Sequence, residues 1–217
     1  MMNSIKRLMM VLLILGAPFF IACNGDDNED EYTDPETEVM DDASDMTIEE
    51  GEADKILIEV AVFENVDPNA KAGINKLIPS YLDLKDALVA TDANMAQQKA
   101  MGLKQATQSL AVEATKYPEA QMKFLIGELH GIQTKTTEMA TGADIEAQRR
   151  AFYAVSENMY KILKAFDAAN QDLFVQFCPM AFEEGAWWIS DNKEIRNPYY
   201  GDKMLKCGRV EEKIAAK

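Results

Sequence analysis

The chain has few of the residues on which most enzymes and zinc sites depend. Its 217 residues include one histidine, His130, and three cysteines, none of them in a Cys-x-x-Cys pair. A single imidazole excludes His-rich zinc sites, and widely spaced cysteines do not favour a thiol redox enzyme. The sequence also has no Ser–His–Asp arrangement, glycine-rich phosphate loop or carboxylate-rich metal motif. We therefore expect no enzymatic activity.

Long apolar runs are also scarce. Residues 8–22 form an uncharged apolar run behind Lys6 and Arg7, and no comparable run follows. About fifteen apolar residues fall short of the roughly twenty that span a bilayer. A short basic start, an apolar run and a small residue at the end are typical of an export signal. We therefore predict a signal peptide over residues 1–22.

Cys23 follows this signal directly and is a candidate lipidation site. The stretch Phe20-Ile21-Ala22-Cys23 resembles a bacterial lipobox, although Phe20 stands where that pattern usually has leucine. Acyl chains on an N-terminal cysteine contribute about 0.8 kcal/mol per buried CH₂, so that more than one chain anchors a protein stably. We expect an envelope lipoprotein on the periplasmic side of an outer membrane. Simple secretion is the alternative.

The next segment contains no basic residue. Residues 24–54 hold most of the excess acidic charge of a chain whose formal net charge is −15. A run of like charges with few apolar residues cannot offset its ordering entropy, which predicts a disordered acidic tether over 23–54. Early acidic residues such as Asp26 and Asp27 are also compatible with export to the cell surface. The remaining residues, 55–217, are near neutral, which argues against a nucleic-acid partner.

Helical patterns dominate residues 55–217. Apolar residues recur at helical spacing, Thr91 or Asp92 is a good N-cap, and Pro79 predicts a kink or break in the first helix. The sequence predicts helices over about 69–90, 92–115, 118–141 and 144–169. It also predicts strands over 56–63 and 173–177. The fold class is mainly α, a four-helix up-down bundle with a small Cys/Met-bearing C-terminal lobe.

The lobe carries a set of sulfur donors. Each of its two cysteines has a methionine nearby, in Cys178-Pro179-Met180 and in Met204-Leu205-Lys206-Cys207. Thiolates and thioethers are soft ligands that suit Cu(I) and discriminate against hard ions. These four sulfurs are the candidate ligands for Cu(I) or Ag(I).

The sequence also resembles a known bacterial family, the domain of unknown function numbered 3347. The resemblance spans about 74–211 and is carried by five stretches: 81–92, 144–152, 175–182, 185–190 and 194–208. In that family the domain occurs alone on exported proteins or fused to adaptor subunits of copper/silver efflux pumps. The resemblance implies metal handling in the envelope, with an efflux adaptor or pump as partner. Some members carry a histidine early in the third helix, where this chain has Gln121.

A disulfide is the alternative for Cys178 and Cys207. Exported proteins meet an oxidising compartment in which two remaining cysteines pair readily. The protein would then be a disulfide-stapled structural or interaction module without metal. Other residues favour structural roles: Trp187 and Trp188 as packing of the lobe onto the bundle, and Arg196 with Asn197-Pro198 as a turn with a hydrogen-bonding arginine. Helix-stripe methionines are expected in the core: Met95, Met101, Met122, Met139 and Met159.

Overall fold

The computed structural model describes residues 58–217, all of which fall within one compact unit. The predicted signal peptide, the lipidation site Cys23, the acidic tether and the expected start of the domain at Lys55 lie outside the described residues. The described part is mainly helical, with a small three-stranded antiparallel sheet at its C-terminal end. No helix in this part is long and apolar enough to cross a membrane.

Helices occupy the first two thirds of the described range. Asp92, a predicted N-cap, and Asp144, the predicted start of the last helix, each accept a backbone N–H through the carboxylate. These bonds satisfy donors that a helix start leaves unpaired. Asp167 ends the last helix in the left-handed conformation. The helices are α1 (Pro68–Asn75), α2 (Leu77–Val89), α3 (Ala93–Ala114), α4 (Glu119–Thr141) and α5 (Ile145–Phe166).

The predicted first helix is divided into α1 and α2 at Lys76. Pro79 lies in the first turn of α2, where its missing N–H has no intrahelical partner to lose. A continuous helix would press the proline ring against the carbonyl four residues earlier, at Asn75, which is the residue where α1 ends. The predicted break is therefore confirmed, one turn before the proline itself.

The prediction that the helix-stripe methionines lie in the core holds for some of them. Met139 and Met159 are buried in the core, whereas Met95 and Met101 are exposed and Met122 is half-buried. The buried stripe of α3 runs instead through alanines, Leu103 and Leu110. The prediction was wrong for Met95 and Met101 because both lie off this narrow stripe.

The strand predicted over 56–63 is wrong for its described residues, since 58–63 form no regular structure. Phe63 fixes this segment instead. Its N–H donates to the carbonyl of Ala165 at 2.8 Å, and its ring lies 5.8 Å from Phe124 and 5.1 Å from Phe166, centroid to centroid. Packing of one half-buried aromatic side chain against α4 and α5 replaces the expected strand pairing.

The sheet begins at the predicted strand. Its strands are β1 (Leu173–Cys178), β2 (Ala186–Ser190) and β3 (Arg209–Ile214), in the order β2-β1-β3. β2 is an edge strand, yet every residue in it is buried. The Tyr81 hydroxyl accepts the Ile189 N–H at 3.0 Å, and the Tyr199 hydroxyl donates to the Trp187 carbonyl at 2.6 Å. Tyrosine hydroxyls thus bind edge groups of β2 that a further strand would otherwise pair.

Candidate functional site

The two cysteines of the lobe lie side by side. Cys178 ends β1, and Cys207 stands two residues before β3. Because β1 and β3 run antiparallel with Phe177 opposite Arg209, the ends of the two strands bring these residues together. Their Sγ atoms are 2.9 Å apart and both thiols are free. We call Cys178 and Cys207 the thiol pair.

The two thiols have different surroundings. Cys178 is fully buried, whereas Cys207 is half-buried. Burial, together with the hydrogen bond to the Cys178 thiol, raises the pKa of Cys207 to about 11, and the Met180 N–H opposes this shift only in part. Cys207 is therefore protonated at neutral pH, and any reaction that needs its thiolate must first remove a proton.

The two candidate methionines flank the thiol pair but are exposed, Met180 to 59% and Met204 to 38%. The Cys207 N–H donates to the Met204 carbonyl at 3.0 Å, which closes the Met-x-x-Cys segment into a single turn. The Met180 carbonyl accepts from the Tyr200 hydroxyl. The structure therefore brings the four predicted residues into one region. The two thiol groups are in direct contact, while the two thioether side chains face solvent.

The loop between β1 and β2 is backbone-strained. Phe182 and Glu183 adopt positive φ angles of 55° and 71°, which non-glycine residues rarely adopt. Gly185 follows at φ 83°, and a Cβ there would lie 2.2 Å from the Phe177 ring. The Arg150 guanidinium lies 5.1 Å from the centre of the Phe182 ring. The loop holds Met180 beside an open pocket of about 290 Å³ that Arg150, Tyr199 and Tyr200 also line.

A fully buried arginine joins the helices to the lobe. Arg149 of α5 is 1% exposed; its Nε donates to the Pro198 carbonyl at 3.0 Å, and its Nη2 donates to Thr91 Oγ1 at 3.0 Å. The prediction gave this structural role to Arg196, which is exposed. It was wrong because the sequence favoured the arginine nearest the turn, whereas the fold supplies one 49 residues away in the chain. The turn itself is confirmed, since Asn197 Oδ1 accepts the Tyr199 N–H.

Other candidate residues have structural roles or stand apart. Trp187 and Trp188 are buried, with Trp187 packed edge-on against Tyr160 of α5 at 5.1 Å. His130 is exposed. Among residues 58–217, no three His, Cys, Asp or Glu side chains cluster in a way that could hold a metal ion.

Gln121 occupies the position at which the resemblance suggested a histidine in some family members. It is 5% exposed. Its amide bonds the N-terminal segment, donating to the Asn65 carbonyl at 2.6 Å and accepting the Asp67 N–H at 3.2 Å. Its role in this chain is to hold that segment against α4.

Comparison with known proteins identifies the helical part. Residues 77–171 match the sequence model of the family described as "Protein of unknown function (DUF3347)". No curated protein and no solved structure matches the chain. The matched segment runs from the start of α2 to just before β1, so the thiol pair lies beyond it. Residues 77–171 thus match the DUF3347 family of proteins of unknown function, as the resemblance predicted. The stretches 175–182, 185–190 and 194–208, which also carried the resemblance, lie beyond the match.

Proposed function

We propose that this protein is an envelope lipoprotein, anchored through Cys23, that binds Cu(I) or Ag(I) and sequesters it or hands it on to efflux. The observation that carries the proposal is the 2.9 Å separation between the Sγ atoms of Cys178 and Cys207. Two thiols that are 29 residues apart in the chain meet in one place, with exposed thioethers on both flanking segments. Thiolate and thioether sulfurs suit soft ions such as Cu(I) and discriminate against hard ones.

The donor set fits such an ion after a small adjustment. An ion that holds two thiolate sulfurs at about 2.3 Å each separates them by roughly 3.8 to 4.6 Å, from tetrahedral to linear geometry. Starting from a separation of 2.9 Å, the pair would therefore open by about 0.9 to 1.7 Å. The Cys207 side chain would supply this movement, because Cys207 is half-buried and lies outside the strands, whereas Cys178 is fully buried within the sheet. Binding would also displace the Cys207 proton, so affinity would rise with pH.

Met180 and Met204 are the proposed thioether ligands. Methionine usually fills cores, so that exposure of both residues beside the thiol pair supports a role in capture or hand-off. A two- or three-coordinate ion needs fewer than four sulfurs, and one methionine would then be free to pass the ion to a partner. The partner we propose is a heavy-metal efflux adaptor or pump.

Anaerobic titration of Cu(I) into the reduced full-length protein, against a competing chelator, tests this function. We expect about one ion per chain, lost in the Cys178→Ser/Cys207→Ser variant. Met180→Leu should weaken binding or transfer. Met101→Leu, which changes a methionine of similar exposure on α3, should change neither. Full binding by the double serine variant would refute the proposed ligands.

A second candidate function has its own support. Cys178 is fully buried, and the raised pKa of Cys207 disfavours its thiolate. Both properties suit a disulfide that staples an interaction module for an envelope protein. Closing a loop of this length would stabilise the fold by about 3–4 kcal/mol in the chain-entropy model. In that case reduction would destabilise the fold and Cu(I) would leave its stability unchanged.

The proposal has a structural part as well. Helices α2 to α5 each pack on the next and are joined by short connections, which supports an up-down four-helix bundle. On this proposal the helices are the scaffold, the lobe carries the metal, and the protein performs no catalysis.

A further inference from the structure

We infer that Asn197 is the positioning residue that holds Cys207 against Cys178. Asn197 lies in the loop that joins β2 to the short 3₁₀ helix Gly201–Lys203, and it is fully buried. Its side-chain Nδ2 donates to the Cys207 carbonyl at 2.9 Å. Its backbone N–H donates to the Leu205 carbonyl, also at 2.9 Å. One residue thus holds the Cys207 turn at two points.

Cys207 is the member of the pair that needs such support. Cys178 lies within β1 and pairs with Ala186 of β2, so the sheet fixes its backbone. Cys207 stands two residues before β3 and belongs to neither a helix nor a strand. Its own N–H reaches only the Met204 carbonyl within the same turn. The position of Cys207 relative to Cys178 therefore depends on the other residues that hydrogen-bond to this turn.

Asn197 is itself anchored to the helices. The next residue, Pro198, accepts the Nε–H of Arg149, and the Nη2 of Arg149 also reaches the Leu88 carbonyl at the end of α2. Arg149 thus joins α2 and α5 to Pro198, and the adjacent residue Asn197 binds Cys207. The helical segment that matches the family is connected by this route to a thiol pair outside the match.

The side chain at 197 must both accept and donate. Asn197 Oδ1 accepts the Tyr199 N–H at 2.8 Å while Nδ2 donates to Cys207. Aspartate would keep the first bond but turn a second acceptor toward the Cys207 carbonyl, which is repulsive in a buried site. Alanine would remove both bonds. The inference deepens the proposed function by naming what holds its ligands, and it rests on that proposal only where metal is concerned.

The test reads the thiol pair without metal. The full-length protein is equilibrated with glutathione buffers, and the Cys178–Cys207 disulfide is quantified by peptide mass spectrometry. In this exchange the two thiols lose two electrons and two protons, and one glutathione disulfide becomes two glutathione molecules. Asn197→Ala should lower the equilibrium constant for disulfide formation at least tenfold.

The matched control is Gln176→Ala. Gln176 is also a fully buried amide of the lobe, and its side chain donates to the carbonyls of residues 192–194, including that of Asn192 at 2.8 Å, rather than to the Cys207 turn. The equilibrium constant for disulfide formation in Gln176→Ala should stay within about threefold of the wild-type value. The inference would be overturned if both variants lowered the equilibrium constant for disulfide formation equally. It would also be overturned if a folded Asn197→Ala protein left that constant unchanged.

Two further measurements cover a variant that does not fold. Asn197→Asp keeps the size of the side chain and the Tyr199 bond, and it should show the same tenfold loss. If neither variant folds, amide exchange in the reduced wild-type protein decides. The Nδ2 protons of Asn197 should then exchange slowly, and fast exchange would overturn the inference. Since none of these readouts involves copper, absence of metal binding would refute the proposed function and leave this result standing.

Discussion

The buried guanidinium of Arg149 and the carbonyl of Pro198, 3.0 Å apart, join the last helix to the loop that precedes the 3₁₀ helix. Arg149 also donates to Glu146 Oε1 at 3.0 Å, so its charge has a carboxylate partner at the surface. A buried charge is tolerated when it is paired and hydrogen-bonded. This residue is therefore a principal connection between the family-matched helices and the sheet.

Replacing Arg149 should destabilise the whole fold. Arg149→Met removes the hydrogen bonds to Pro198 and Leu88 and leaves both buried carbonyls without this partner, at a cost of about 2–4 kcal/mol. Urea unfolding followed by circular dichroism measures this loss. Arg150→Met is the control, because Arg150 is exposed and its main described contact is with the Phe182 ring. It should cost about 1 kcal/mol or less.

Two glycines should respond to alanine with opposite signs. Gly201 has φ 53°, and a Cβ there would lie 2.2 Å from Thr91 Oγ1, so Gly201→Ala should destabilise by about 2 kcal/mol or more. Gly102 lies within α3 with no heavy atom near its hypothetical Cβ. Gly102→Ala should stabilise by about 0.5–1 kcal/mol, because alanine is the better helix former. Thermal unfolding of both variants checks the pair, and a stabilising Gly201→Ala would contradict the described contact.

The reduced thiol pair should react slowly at neutral pH. The thiolate is the nucleophile, and a pKa raised to about 11 from the ordinary 9.0 lowers the thiolate fraction of Cys207 about 100-fold. Alkylation of Cys207 should therefore rise about tenfold per pH unit up to about pH 11. Mass spectrometry of the Cys207 peptide after iodoacetamide treatment measures this profile. A plateau near pH 8.5 would show that burial and Cys178 do not raise its pKa.

Phe63 should be needed to keep the N-terminal segment on the helices. Phe63→Ala removes a half-buried aromatic ring packed against Phe124 and Phe166 and should cost about 1–3 kcal/mol, less than the usual cost for a fully buried phenylalanine. Val62→Ala is the matched control, since Val62 is 56% exposed, and its effect should stay within about 0.5 kcal/mol. Limited proteolysis should cleave the Phe63→Ala protein near residue 63 earlier than the control.

Local signals in the sequence predicted the helices well. Asp92, Asp144 and Pro79 act through bonds and clashes within one or two turns of their own helix, so their effects can be inferred without the fold. The apolar stripe of α5 is also confirmed, with its buried residues on one face. The boundaries of α3 and α4 follow the predicted ones within about two residues.

Long-range features of the lobe were harder to predict. β2 and β3 were missed because their pairing depends on β1 and on tyrosines from α2 and the loop after β2. Arg149 was missed because its partners come from two distant parts of the chain. The sequence did single out Cys178 and Cys207, which the fold brings to 2.9 Å. It could not distinguish Met95 and Met101, which are exposed, from the buried Met139 and Met159.

The tyrosine hydroxyls that bind the outer edge of β2 also bear on how the helices and the lobe evolve. One of them, Tyr81, belongs to the family-matched helices, while the strand that it protects lies beyond residue 171. A lobe separated from those helices would expose a five-residue edge rich in tryptophan and isoleucine to other chains. Helices and lobe are therefore expected to be gained, lost and transferred between proteins as one piece, across the boundary at which the family match ends.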